Sequence, residues 1–216
     1  MDITTKTVQR LIWWVVFSLS LTPALNLLFK TISQNLGADP AKEIVLELGT
    51  WAINFLWLSL AITPVRKLFG WRSVLKFRRM LGLYCYFYAT LHLLAFATFI
   101  IGWDLQVLLQ ELTERPYAVV GFIALLLLTP LAITSTKAMQ RRLKKNWVSL
   151  HKLVYVIALL VLLHIIWQVR SDFSEALWYG LLLFWLLAYR YYKSASSARR
   201  SAKNKIASAV GMKAHR

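Results

Sequence analysis

Apolar residues in this chain come in blocks, not at alternating intervals. Six runs, roughly 11–32, 49–68, 80–101, 117–136, 148–168 and 176–192, carry charge only near their ends. Each is close to the ~20 residues that a helix needs to cross the hydrocarbon layer. A backbone in hydrocarbon must bond to itself, so uninterrupted runs of this kind are helical. The pattern predicts an all-α fold: an integral membrane bundle of six transmembrane helices over residues 1–192, then a basic cytoplasmic tail over 193–216.

Shorter signals mark the connections. In LGADP (36–40), Asp39-Pro40 followed by Glu43 predicts a helix start, with proline at the first helical position and an acid in the first turn. A short amphipathic helix over about 40–48, lying on the outer surface and leading into span two, is expected. Thr63-Pro64 should kink or end span two. DLQVLLQEL (104–112) has apolar positions at helical spacing but is too short to span, so it should lie at the interface or fold back into the bundle. The Ser-, Ala-, Lys- and Arg-rich tail should be mobile or lie as a basic helix on the inner leaflet. The first run is long and lacks a good cleavage site, so it reads as a retained helix and not as a cleaved signal. No internal repeat stands out.

Composition agrees with the pattern, at 58% hydrophobic and 14% aromatic, and charge adds an orientation. Lys6, Arg10, the six basic residues between Arg66 and Arg79, the six between Lys137 and Lys152, and the eight from Arg190 onward fall on one side. That is 22 of the 26, with Asp2 as the only acid. The opposite loops hold Lys30, Lys42, Arg115 and Arg170 with the other eight acids. Cytoplasmic loops retain Lys and Arg, so both termini are expected in the cytoplasm. The net charge of +17 is then a topology signal with attraction to anionic lipid, and no nucleic-acid partner is expected. Cys85 is the only cysteine, so an intrachain disulfide is excluded.

Three of the four histidines, His92, His151 and His164, lie in the apolar runs, and His215 is in the tail. Ionisable groups at membrane depth are costly and point to function, and imidazole is the commonest metal ligand. His151 opens the fifth span near the cytoplasmic face. His164 is about 20 Å deeper at 1.5 Å per residue, and His92 is mid-depth or slightly outward in span three. Two histidines at matching depth on neighbouring helices can hold one haem iron from both faces, which leaves no open position and suits electron transfer. An interval of 13 residues turns a helix about 140° away from a shared face, so at most one of His151 and His164 meets His92 directly. Arg78, Arg79, Arg141 and Arg142 sit at the cytoplasmic boundary, where they could pair with propionates or phosphates; they serve first as topology determinants. Tyr84, Tyr86, Tyr88, Phe96, Tyr155 and Trp167 could line an apolar macrocycle. The alternative is a proton or cation transporter with a histidine relay, but relays chain Asp, Glu and His and every acid here lies in a loop or at a span end. A membrane zinc hydrolase ranks last, because HExxH is absent and the spans offer no carboxylate base.

LGADP (36–40), ITP (62–64), RRMLGLYCYFYATLHL (78–93), ERPY (114–117) and TSTKAMQRRLKKNWVSLHKLVY (134–155), with His164 beyond them, resemble the ferric reductase-like transmembrane family, which includes NADPH oxidases and metalloreductases. Within it the chain is similar to the haem-binding membrane subunits of bacterial periplasmic methionine sulfoxide reductase systems. That resemblance implies an inner-membrane electron conduit with FMN and with haem b, the haem iron ligated through His92, His164 and His151. Electrons would come from the quinone pool or a cytoplasmic flavin reductase. They would pass to a periplasmic molybdenum-containing catalytic subunit, where substrate reduction and protein repair take place. The family's third helix usually carries a further histidine 14 positions before the first; here that position is Arg78. This leaves the pair His92 and His164 complete and His151 without its partner. Electron delivery through a soluble flavin and NADPH domain, as in the oxidases, is not expected from these 216 residues.

Overall fold

The computed structural model describes residues 3–169, 172–192 and 196, and no strand occurs among them. The helices are α1 (Ile3–Ile32), α2 (Pro40–Phe69), α3 (Leu75–Ala95), α4 (Leu105–Glu114), α5 (Pro116–Ile133), α6 (Lys137–Leu143), α7 (Lys145–Leu150) and α8 (Leu153–Gln168), followed by α9 over residues 174–192. Among the described residues five stretches are long and apolar enough to cross a membrane: Thr7–Ile32, Pro40–Phe69, Leu75–Ile101, Pro116–Ile133 and Lys145–Gln168. The helix α9 is less apolar, since it carries Glu175, Arg190 and four tyrosines. Many large apolar side chains face outward, Trp14, Phe29, Leu126 and Phe184 among them, as a lipid-facing exterior requires. The basic tail lies outside the described residues.

Asp39 caps α2 by accepting the Lys42 N–H at 3.1 Å, with Pro40 at the first helical position and Glu43 in the first turn, as the sequence predicts. Residues 40–48 do not form a separate surface helix, however. They are the first turns of α2 itself, and Ile44, Val45 and Leu48 are buried in the bundle. Nor does Thr63-Pro64 end the helix, which runs on to Gly70, where a φ of 72° stops it. Pro64 has no N–H, so the Leu60 carbonyl loses its helical donor. The gap is filled from α9, whose Arg190 Nη2 donates to that carbonyl at 2.7 Å. Trp57 Nε1 also donates to the Tyr179 carbonyl at 3.0 Å, and the Tyr179 hydroxyl donates to Asn54 Oδ1 at 2.9 Å. These three bonds attach α9 to α2.

A second proline is compensated in a similar way. Pro23 inside α1 leaves the Leu19 carbonyl without an N–H, and Thr22 Oγ1 donates to it at 2.8 Å. One residue on, the Tyr88 hydroxyl from α3 is wedged into the helix ladder. It accepts from the Ala24 N–H at 3.1 Å and donates to the Ser20 carbonyl at 2.8 Å. Tyr88 is fully buried and stacks on Phe55 of α2, with ring centres 5.2 Å apart. The core around it is built from Leu56 and Leu60 of α2, Ile157 of α8, and Leu183 and Leu186 of α9.

Beyond α3 the chain widens into a π turn over Phe96–Ile101, ended by Gly102 at φ 64°. Asp104 then caps the short α4, accepting the Gln106 N–H at 2.7 Å. No residue of α4 is buried, in keeping with an interfacial helix.

Candidate metal centre

Only residues 70–74 separate α2 from α3, so the two run antiparallel and the start of α2 lies beside the end of α3. The pair α5 and α8 repeats this arrangement, with the start of α5 beside the end of α8. His92 and His164 occupy these two junctions. His92 donates its Nδ1–H to the Val45 carbonyl at 2.8 Å, and His164 donates its own to the Tyr117 carbonyl at 2.7 Å. A carbonyl can only accept, so Nδ1 carries the proton in both rings and the free lone pair of each neutral imidazole is on Nε2. The Tyr117 ring also packs edge-on to His164 at 5.9 Å.

The two histidine rings face each other with centres 6.3 Å apart and planes crossed at 88°. With imidazole–metal bonds of about 2 Å and each ring centre about 1.1 Å behind its nitrogen, two rings on opposite sides of one metal stand about 6 Å apart. The spacing of the pair would therefore admit a single metal between the two rings. Among the described residues no group of three or more His, Cys, Asp or Glu could hold a metal ion. Two nitrogens fall short of the donor set of a bare zinc site, whereas haem brings four donors of its own. The chemistry of the donor set thus points to haem.

His151 is elsewhere, between α7 and α8, at the basic end of the bundle. Its ring stacks on Trp147 at 4.0 Å and 28°, and its Nδ1 donates to the Trp147 carbonyl at 3.1 Å. The ring also lies near the Leu131 carbonyl, yet Nε2 is buried and makes no hydrogen bond. No second histidine approaches it among the described residues. Of His151 and His164, only the latter meets His92.

The arginines divide as well. All four are exposed, but only Arg78 lies within electrostatic reach of His151, Tyr155 and Arg190. Sequence reasoning missed Arg190, whose guanidinium lies over the Tyr155 ring, 5.0 Å from its centre, and donates to the Tyr155 hydroxyl. A lone charge at the end of an apolar run was the available signal. It also missed Val45 and Tyr117, which act through backbone carbonyls that leave no side-chain signature. Tyr84 and Tyr88 have their hydroxyls turned to α1. Their hydroxyls donate to the Phe17 and Ser20 carbonyls of α1, and Trp167 faces outward.

Residues 48–162 match the family described as ferric reductase like transmembrane component. The chain is 49% identical over 171 residues to the protein-methionine-sulfoxide reductase heme-binding subunit MsrQ of Xanthomonas euvesicatoria pv. vesicatoria (strain 85-10), covering 79% of this chain and 78% of that one. It is 39% identical over 199 residues to the MsrQ subunit of Polaromonas naphthalenivorans (strain CJ2), covering 91% of each. No solved structure matches.

Proposed function

We propose that this chain, which belongs to the ferric reductase like transmembrane component family, is the haem-binding electron-transfer subunit of a membrane methionine sulfoxide reductase system. One observation carries the reading: two imidazoles, each fixed through Nδ1 to a backbone carbonyl, face each other at 6.3 Å. The names of relatives at 39–49% identity agree with it. His92 and His164 are the residues that would hold haem b, and the group would supply one-electron reduction and oxidation. Held by both imidazoles, the group would suit electron transfer and not oxygen binding. The Val45 and Tyr117 carbonyls hold the rings in one tautomer and raise the basicity of Nε2. His151 and Arg78 stand at the other end of the bundle, where a second cofactor, haem or FMN, would take His151 Nε2 as ligand or Arg78 as anion partner.

In this proposal the chain crosses the bacterial inner membrane six times with its basic end in the cytoplasm. Electrons enter there from the quinone pool or a flavin reductase, and leave at the acidic end to a periplasmic molybdenum-containing catalytic subunit. That end offers an open cleft of about 410 Å³ lined by Asp39, Lys42, Glu43, Leu46, Glu47, Thr50 and Glu175, where four carboxylates could meet a partner protein. The test is optical. Purified protein should show a Soret band and a low-spin reduced spectrum. His92→Ala and His164→Ala should each abolish the six-coordinate signal, while His151→Ala leaves it in place. Protein without haem, or haem that stays six-coordinate after both substitutions, would overturn the proposal.

A further inference from the structure

The two histidine junctions agree in more than their hydrogen bonds. Val45 and Tyr117 each precede their histidine by 47 residues. Four residues after each acceptor comes a glycine, Gly49 in α2 and Gly121 in α5. In a regular helix the carbonyl of residue i bonds to the N–H of i+4, so Val45 pairs with Gly49 and Tyr117 with Gly121. The imidazole takes the second lone pair of the same oxygen. To do so it must lie flat against the helix surface, over the i+4 residue. A methyl group at Gly49 would stand 3.0 Å from His92 Nδ1 and 3.1 Å from Cε1. One at Gly121 would stand 2.8 Å from both Nδ1 and Cε1 of His164. At 2.8 Å the His164 ring must shift, and at 3.0 Å the His92 ring must give by a few tenths of an ångström. By contrast, a methyl at Gly82, in the same helix as His92, meets nothing within 4 Å.

We propose that Gly49 and Gly121 are positioning residues: each leaves a bare patch of helix that seats an imidazole against the carbonyl four residues earlier. The seat fixes the Nδ1–H tautomer and the ring direction. The two hairpins, α2 with α3 and α5 with α8, are thereby equivalent halves of one centre, related by a shift of 72 residues (Val45 to Tyr117, Gly49 to Gly121, His92 to His164). Each half contributes one histidine, one carbonyl and one glycine. The role of the seats as ligand holders rests on the proposed haem function; the tautomer they impose does not.

The experiment compares full-length wild type, Gly49→Ala, Gly121→Ala and Gly82→Ala in detergent. In haem-free protein with ¹⁵N-labelled histidine, wild type and Gly82→Ala should show His92 and His164 protonated at Nδ1. Gly49→Ala should lose that tautomer at His92 only, and Gly121→Ala at His164 only. In haem-loaded protein, crossed imidazole planes give a highly anisotropic low-spin ferric resonance. Either glycine variant should shift it, with haem affinity falling on the order of 10–100-fold, as loss of a ligand's outer support does. Gly121→Ala, with the closer contact, should show the larger effect. Unchanged tautomers in both glycine variants, or equal effects from Gly82→Ala, would overturn the positioning role. A wild type with the expected tautomers but no haem would instead count against the proposed function alone.

Discussion

Arg190 and Pro64 are coupled across 126 positions of sequence, and the coupling has a size that can be measured. Because Pro64 cannot donate, the Leu60 carbonyl depends on Arg190 Nη2 at 2.7 Å. A hydrogen bond from a charged donor contributes about 1.5–3 kcal/mol, and the guanidinium over Tyr155 adds about 0.5–2 kcal/mol. Arg190→Met should therefore cost about 2–5 kcal/mol. Pro64→Ala supplies an N–H to Leu60 from within the helix, so in that background the carbonyl is no longer orphaned when Arg190 is lost. The same Arg190→Met change should then cost about 1–2 kcal/mol less. A double-mutant cycle, read by reversible unfolding of the detergent-solubilised protein, gives the coupling directly. If the two Arg190→Met costs agree to within about 0.5 kcal/mol, the limit of additivity for independent sites, then Arg190 does not compensate for the proline.

Other expectations follow from single contacts. Tyr88→Phe removes a hydroxyl that serves both the Ala24 N–H and the Ser20 carbonyl, and should destabilise the protein by about 2–6 kcal/mol at ~1–3 per orphaned buried group; an effect below about 0.5 kcal/mol would show that α1 closes its own ladder. Trp57→Phe loses the bond to the Tyr179 carbonyl and should cost about 1 kcal/mol, with proteolysis at the start of α9 accelerating before any other region; uniform cleavage would speak against a local attachment. Asp172 accepts the Ser174 N–H at 2.9 Å, and that bond holds its carboxyl below the ordinary value. Its stabilising effect is thus complete above the unfolded carboxylate pKa and lost as pH falls through the lower folded value. Asp172→Asn should change the melting temperature at neutral pH and not at a pH below both values; an equal effect at both would contradict the carboxylate role.

Much of the candidate centre was legible before any coordinates. Helix phase alone limited the direct partners of His92 to one of two histidines, and depth favoured His164. The start of α2 was legible too, because Asp39 and Pro40 act within one turn of themselves. Two expectations failed for a shared reason. The separate surface helix at 40–48 and the end of the helix at Pro64, one of the two outcomes expected there, both treat a segment in isolation. In the folded protein, packing buries the first, and a donor from a distant helix repairs the second.

The sequence by itself determined the long apolar helices, the segregation of basic from acidic residues and the place of each histidine along its helix. These depend on how each residue partitions between water and hydrocarbon, and that is a local property. Tertiary structure alone decided which faces meet. A membrane helix is apolar all round, since lipid accepts the same side chains as a neighbouring helix does, so the sequence pattern carries no marker of the inner face. The seats at Val45 and Gly49, and at Tyr117 and Gly121, lie 43 to 47 residues from the histidines they hold. A carbonyl and a missing side chain gain meaning only once the helices are packed.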